Sequence, residues 1–591
     1  MLTELIHNGV VVLDPPPYLG LVLKIRGESV KLTPKQEEMA LAWAKKAGTE
    51  YVEDPTFVAN FLADFSAELG LDDPLAEDEV DLGPANRVVE EEKAAKEAMS
   101  KEERKALAAE RKAQREALRE RHGHAIVNGE QVELANYVVE PSGIFMGRGQ
   151  HPLRGRWKEG ATRADVTLNL SPGAPRPEGD WAEIVWQPES LWVARWRDKL
   201  ADKLKYVWLS DSAPIKQERE AQKFDKVYEL DAEIDTVREQ IIQDLADDDD
   251  RRRRIATACY LIDALCLRVG DEKDEDEADT VGATTLRPEH VTLHDDGTVE
   301  FRFLGKDSVL WHKQIPLPEI VCRNLQELIE NARPSSASSE GESPTGNGEN
   351  GTSTRDKPQL FHDITSRNVN AYLSDVLPGL TAKVFRTHHA TVAVRRELES
   401  SGVSAEDPEH KKWGAANMAN LEAAVLCNHT KKEAAGWERS RERYRERQAK
   451  AEERVETACR RLEEQQQALA QLEAEAREQQ EGVAEEKREQ VARRYEKRLA
   501  SARNRIEKAR EQLDKAEIAR DKIEVQKSIA SQKRTWNLGT SLKSYIDPRV
   551  YYEWGTSVDY DVIERYYPKA LRQKFAWVRN GEDDDLEDAE E

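Results

Sequence analysis

Apolar residues recur at spacings of three and four along residues 433–535. Val455, Ala458, Leu462, Leu469, Leu472, Ala476 and Val483 form one series; Tyr495, Leu499, Ala502, Ile506, Ala509, Leu513 and Ala516 form another. A seam of that period predicts two long helices packed as a coiled coil. Gly482 lies between the series and small alanines fill the seam, so an antiparallel hairpin is expected, with a dimerising coiled coil as the competing arrangement. Each arm of about 47 residues reaches roughly 70 Å. The N-terminal pattern is different. Residues 10–13 and 21–25 are short apolar runs expected as strands, with Asp14-Pro15-Pro16-Pro17 as the break between them. Residues 33–46 read as a helix with Pro34 in its first turn. Residues 86–122 are helical and highly charged. Ser100-Lys101-Glu102-Glu103 is a capping box, which predicts two helices broken near Ser100, a solvated pair.

Residues 123–210 return to short strands and turns. From 211 to 432 the pattern is mainly helical, apart from alternation over 290–317 that predicts a β-insert. Residues 334–357 are rich in Ser, Gly, Glu and Asn and are expected to be disordered. Residues 536–580 read as a small helical domain, followed by a disordered acidic tail at 581–591. The fold class is therefore α+β and multidomain. It comprises a mixed α/β N-terminal part (1–210), a mainly helical part with a small β-insert (211–432), an antiparallel coiled-coil hairpin (433–535) and a small helical C-terminal domain (536–580).

Composition narrows the classes. No run of eighteen apolar residues is present, so no transmembrane helix is expected, and Met1-Leu2-Thr3-Glu4-Leu5 does not open a signal peptide. Cys259, Cys266, Cys322, Cys427 and Cys459 are scattered without a CxxC pair, which predicts a reducing interior and neither structural zinc nor a disulfide framework. With 114 acidic residues against 89 basic, the net charge is −25. That balance by itself opposes nucleic-acid binding, which leaves a basic footprint. It is compatible with DNA if carboxylates coat outer faces while arginines line a groove, as in salt adaptation.

Five side chains, scattered along the sequence, make a metal-free set for cutting a phosphodiester. Tyr545 lies in Ser544-Tyr545-Ile546-Asp547-Pro548-Arg549. A phenol is a poor nucleophile at neutral pH, with an ordinary pKa near 10. Arginine forks suit the charge that gathers on phosphorus, and a positioned donor must protonate the leaving oxygen. Arg268 follows the apolar helix Leu261-Ile262-Asp263-Ala264-Leu265-Cys266-Leu267, with Gly270 expected as the helix cap. Lys306 is expected at a hairpin tip in Phe303-Leu304-Gly305-Lys306-Asp307-Ser308. Arg386 lies in Lys383-Val384-Phe385-Arg386-Thr387, and His429 in Leu426-Cys427-Asn428-His429. Taken singly, each of these is more often structural. His388 and His389 suggest a metal, but no third ligand stands at a sensible spacing, so none is expected, and there is no GxxxxGK[ST] loop.

Together these phrases resemble the eukaryotic-type DNA topoisomerase IB family over residues 5 to 580. The resemblance rests on the Gly147-Arg148-Gly149 turn, Ala264-Leu265-Cys266-Leu267-Arg268-Val269-Gly270, the Lys306 hairpin, Lys383-Val384-Phe385-Arg386-Thr387, Leu426-Cys427-Asn428-His429, the coiled-coil linker and the Tyr545 terminus. It implies that Tyr545 forms a 3′-phosphotyrosine bond. Arg268 and Arg386 hold the scissile phosphate, His429 donates to a non-bridging oxygen and Lys306 protonates the 5′ oxygen. Arg148 and Asp307 match positions that contact DNA, and Lys383 stands where tyrosine recombinases place a His. It also implies a monomer clamped around double-stranded DNA, relaxing supercoils without ATP, metal or other cofactor and without a membrane. Ser544, Met146 and the His388-His389 pair depart from the family pattern, which puts camptothecin-type sensitivity and one backbone contact in doubt. The acidic surface, and the absence of a basic N-terminal extension, suggest a halophilic prokaryote. The expected location is then cytoplasmic, at the nucleoid, or nuclear if the owner is eukaryotic. A site-specific tyrosine recombinase is the alternative function. Against it stand Lys383, the long linker and the N-terminal clamp. A non-catalytic DNA clamp or coiled-coil scaffold is a third reading, opposed by the completeness of the five-residue set.

Overall fold

A computed structural model describes residues 1–149, 151–270, 279–333 and 357–579. The loop expected at 334–357 lies outside the described residues except for Lys357, and the acidic tail lies outside them entirely. Among the described residues the protein is mixed α and β, with several small sheets, and no helix is long and apolar enough to cross a membrane. The chain divides into two compact units. One is Met1–Ala382 together with the residues from Gln573 on; the other is Lys383–Arg572.

In the first unit, helix α1 (Pro34–Ala44) is capped by Thr33, and α2 (Pro55–Glu68) by Asp54. Both have proline in the first turn, where a missing N–H costs nothing. Phe57, Phe61 and Phe65 repeat at a spacing of four, so one face of α2 is aromatic and fully buried. Trp43 stacks on Phe61 at 4.4 Å. The charged pair is α3 (Gly83–Ala98) and α4 (Lys101–His122). Ser100 Oγ accepts the Glu103 N–H while the Glu103 carboxylate accepts the Ser100 N–H, and α4 buries no residue.

Leu5–His7 pairs antiparallel with His124–Val127, and Thr167–Asn169 lies between Glu183–Val185 and Trp192–Arg197. These strands share one apolar core. The strand expected over residues 10–13 is reduced to a single bridge from Val11 to Val138. Gly9, at φ +72°, turns the chain just before it, and the three prolines that follow offer no N–H to a neighbour.

Helices α5 (Pro214–Asp244) and α6 (Asp250–Leu265) precede the β-insert in the chain, and α7 (Glu319–Glu330) and α8 (Ser366–Val376) follow it; α6 packs against the other three. The insert has strands Val291–Leu293, Thr298–Gly305 and Val309–Pro316 in antiparallel order. Residues 574–577 pack onto α5. Phe575 and Trp577 lie 6.4 and 6.5 Å from the Phe224 ring, and Lys574 pairs with Glu220 at 2.9 Å. Burying such aromatic side chains contributes roughly 2 kcal/mol each.

The second unit begins with α9 (Ala382–Ser400) and α10 (Glu409–Leu426). Two long helices follow, α11 (Trp437–Glu481) and α12 (Glu485–Gln532), packed against each other. Ala451, Leu472 and Ala476 of α11 are buried, as are Ala502, Ile506 and Ala509 of α12. The chain reverses between Gly482 and Ala484, with Gly482 at φ −81°, a conformation open to any residue. Short helices α13 (Leu538–Ser544), α14 (Pro548–Ser557) and α15 (Val562–Arg565) complete the unit.

Candidate active site

The expected site residues fall into two sets, one in each unit. In the first unit, α6 stops at Leu265, and Cys266, at φ +52°, caps it in the left-handed conformation. This corrects the expectation that Gly270 caps the helix at Arg268. Gly270 instead permits a close backbone approach, since a Cβ there would come within 2.8 Å of the Gly282 Cα. The two glycines let two backbone segments pass in contact. Arg268 is consequently held in a loop: its carbonyl accepts the Ala283 N–H at 2.9 Å, and the Val269 carbonyl accepts the Thr284 N–H at 2.7 Å. Val281 N–H in turn donates to the Leu304 carbonyl at 2.8 Å, so the Arg268 loop is laced to the hairpin carrying Lys306.

Lys306, Asp307 and Ser308 form a single tight turn between the hairpin strands, with Lys306 exposed. The Arg148 turn abuts the same place. Gly147 and Gly149, both at φ +58°, flank Arg148, and a Cβ on Gly149 would overlap the Ser308 side chain. Arg154 fixes that turn: it donates to the Gly149 carbonyl at 2.6 Å and pairs with Asp54 at 2.8 Å. Arg268, Lys306 and Arg148, remote in sequence, are therefore joined through adjoining loops of one unit.

In the second unit three elements meet around the Tyr545 ring. Arg386 comes from the first turns of α9, with Lys383 exposed one turn earlier. Its guanidinium carbon lies 5.1 Å from the Tyr545 ring centroid, and one terminal nitrogen donates to the Cys427 carbonyl at 2.9 Å. Arg386 is only 4% exposed, and its Nε is buried with no hydrogen bond among the described residues. A buried cation with an unmet donor is costly and suits an anion.

His429 follows α10, and its ring centroid lies 5.0 Å from that of Tyr545. The segment from His429 is zipped to the entry of the Tyr545 segment. Asn537 N–H donates to the His429 carbonyl at 2.7 Å, Lys431 N–H donates to the Thr535 carbonyl at 2.8 Å, and Thr430 bridges Trp536. Lys533 sits beside this zipper, where burial and the neighbouring Lys431 charge pull its ammonium below its ordinary range.

Tyr545 ends α13 and is 5% exposed. Other tyrosines in the unit have a different character. Tyr551, Tyr566 and Tyr567 are held neutral by burial, Tyr560 is pushed up to about 12 by the same cause, and Tyr551 donates to the Ala416 carbonyl at 2.9 Å. These are packing groups, whereas Tyr545 faces a histidine and an arginine.

Three residues outside the expected set complete the arrangement. Thr391 Oγ1, on α9, accepts the Asp547 N–H at 3.2 Å and reaches the Tyr545 carbonyl at 3.5 Å. Asp547 is fully buried, caps α14 through the Arg549 N–H and pairs with the Arg549 guanidinium at 2.8 Å. Ser541 Oγ lies 2.7 Å from His429 Nδ1. In the sequence, Asp547-Pro548 carries a helix-start signal that could have flagged Asp547; Thr391 and Ser541 carry none. Among the described residues no group of three or more His, Cys, Asp or Glu is placed to hold a metal ion, and the five cysteines are free thiols.

Nearly the whole chain is similar to known proteins. Residues 2–209 match the family described as eukaryotic DNA topoisomerase I, DNA binding fragment; residues 212–465 match its catalytic core; residues 517–587 match the C-terminal topoisomerase domain. Human mitochondrial DNA topoisomerase I is 31% identical over 581 residues, which cover 95% of this chain and 88% of that protein. Human DNA topoisomerase 1 is 30% identical over 601 residues, 98% of this chain and 71% of the relative. DNA topoisomerase 1 beta of Arabidopsis thaliana is 31% identical over 97% of this chain and 58% of its own length. With matches to all three family segments and such relatives aligned over almost its full length, this chain belongs to the eukaryotic-type DNA topoisomerase I family, the type IB topoisomerases.

Proposed function

We propose that the protein relaxes positive and negative supercoils by cutting one strand of duplex DNA through a transient 3′-phosphotyrosine bond at Tyr545. The carrying observation is the burial of Arg386, His429 and Tyr545 in one contact cluster. In this reading Tyr545 Oη attacks the phosphorus, its proton leaves to solvent, and the P–O5′ bond breaks. Lys306 delivers a proton to the departing 5′ oxygen. Arg386 and Arg268 hold the non-bridging oxygens, whose charge grows in the transition state, and His429 donates to one of them. Preorganised donors of this kind each lower the barrier by roughly 3 kcal/mol. One phosphoester replaces another, so resealing is the reverse attack and needs no ATP. The donors that neutralise the phosphate are side chains, so no metal is needed. Arg148, Asp307 and Lys383 are assigned to DNA contact, and the protein acts as a monomer closed around the duplex.

The test is plasmid relaxation with chelator present and ATP absent. The wild-type protein is expected to relax plasmid DNA lacking any special site, and Tyr545→Phe is expected to be inert, since the phenyl ring keeps the packing and loses the nucleophile. A Tyr545→Phe protein that still relaxes plasmid overturns the chemistry. Strict dependence on one DNA site would instead favour a recombinase. A salt series on the same assay addresses the acidic surface. Phosphate binding weakens steeply with salt, so activity persisting near molar salt is the expected mark of a salt-adapted owner.

A further inference from the structure

Ser541 lies inside α13, four residues before the nucleophile, and is fully buried. A serine inside a helix commonly returns its hydroxyl to its own backbone. Here the hydroxyl turns outward, to His429 Nδ1 at 2.7 Å. The same residue holds the nucleophile segment through its carbonyl, which accepts the Tyr545 N–H at 2.9 Å and the Ile546 N–H at 3.2 Å. One residue thus grips the Tyr545 backbone with its main chain and the His429 ring with its side chain.

We propose that Ser541 is a positioning residue for His429: its hydroxyl holds Nδ1 and keeps the proton of the neutral ring on Nε2, the nitrogen that donates to the scissile phosphate. The inference rests on the reading of His429 as a phosphate donor. A neutral imidazole carries one N–H, and the partner of one nitrogen decides which nitrogen bears it. Nδ1 is the one acceptor that the buried Ser541 hydroxyl meets among the described residues, so donating to it satisfies the O–H and leaves the ring proton on Nε2. A bond from Nδ1–H to a carbonyl or carboxylate would do the reverse and leave the ring an acceptor where a donor is needed. A hydroxyl can also turn round to accept from Nδ1 when the ring becomes an imidazolium, so it serves both charge states.

This yields a signature that packing alone does not. Without the hydroxyl, the neutral ring is free to carry its proton on either nitrogen and loses its orientation. The whole effect runs through the His429 ring, so it vanishes when that ring is removed. The groups facing His429 are the Tyr545 phenol and, against the same phenol, Arg386 of α9, with His388 and His389 farther along that helix. Lys431 and Lys432 follow it in the chain, and Lys533 lies at the paired segment. All of these are common to wild type and variant, so their ionisation cancels in a ratio of rates.

The experiment is single-turnover cleavage of a short suicide duplex by the full chain, in wild type, Ser541→Ala, His429→Ala and the double variant. Ser541→Ala is expected to be slower than wild type by about tenfold, the worth of one lost hydrogen bond. Ser541→Cys, a weaker donor of similar size, is expected to fall between them, and it carries the same double-variant test if the alanine protein melts below the assay temperature. In a His429→Ala background, removing the hydroxyl is expected to have no further effect. A Ser541→Ala rate equal to wild type, or a deficit that persists without His429, overturns the proposal. If Tyr545→Phe is inert while the Ser541 deficit persists without His429, the enzyme reading survives and this inference alone is lost. If Tyr545→Phe still cleaves, the reading on which it rests has failed.

Discussion

Thr391→Val tests whether the Arg386 helix holds the Tyr545 turn. The substitution keeps the side-chain shape and the β-branch and removes only the hydroxyl. In the wild type Thr391 is 2% exposed, and its hydroxyl sits between the Tyr545 carbonyl (3.5 Å) and the Asp547 N–H (3.2 Å). Valine leaves both backbone groups facing a methyl in a site closed to water. An orphaned buried polar group costs about 1–3 kcal/mol. The longer of the two bonds lies at the weak end, so the combined loss is about 2–3 kcal/mol. For a unit of this size each kcal/mol moves the melting temperature by roughly 2–4 °C, which places the expected drop at roughly 5–10 °C. The Tyr545 turn loses these backbone hydrogen bonds to the helix that carries Arg386, so single-turnover cleavage is expected to slow by about tenfold, the scale of one 1.4 kcal/mol contact. Thr391→Ser keeps the hydroxyl and is expected to recover most of the rate. The assays are thermal unfolding and cleavage of a suicide duplex. A valine protein that melts within about 1 °C of wild type and cleaves within about twofold would refute the clamp.

Gly149→Ala places a methyl on Ser308 in a backbone conformation L-residues avoid, at a cost of about 1–2 kcal/mol. Because it pushes the Arg148 turn off the Lys306 turn, DNA cleavage is expected to fall at least about tenfold while the protein stays folded, checked by melting and cleavage side by side. His7 gives a pH dependence. Burial holds its ring neutral, down from 6.5 to about 4, while Nε2 meets the Asn169 carbonyl and Nδ1 accepts the Gly9 N–H. The unfolded chain takes up the proton first, so the full stability is present above about pH 6.5 and is lost as pH falls toward 4, by roughly 3 kcal/mol at most. Melting scans between pH 7.5 and 4.5 should show that slope, and His7→Gln should flatten it.

Local pattern was a good guide where local chemistry decides. The Ser100 box is satisfied within four residues, so it could be read directly, and it starts α4. The hairpin at Lys306 follows from alternation on both sides of a three-residue turn. The helix seam of residues 433–535 needs only its own periodicity, and α11 and α12 bury Leu472, Ala476, Ala502, Ile506 and Ala509 of the two series. The same reasoning failed at the end of α6, where the obvious glycine is not the cap. Gly270 is committed to Gly282, twelve residues on across residues 271–278, and no local rule can foresee that contact. Residues 10–13 failed for a related reason: their hydrophobicity is real, but a strand also needs a neighbour with free N–H and C=O groups, and the fold supplies one bridge.

By itself, the sequence determined the family; the phenol, two guanidiniums, ammonium and imidazole of the proposed site each stand in a distinctive phrase. Only tertiary structure decided how they are held. It set Arg386 and His429 against the Tyr545 ring, joined the Arg268 loop to the Lys306 hairpin through Val281, and enlisted Ser541 and Thr391, which look in sequence like any helical hydroxyls. The physical reason is range. Caps and periodicity act over a few residues of backbone, whereas these side chains are oriented by groups remote in the chain, 41 residues for Arg386 to Cys427 and 112 for His429 to Ser541, and such contacts exist only once the chain has folded.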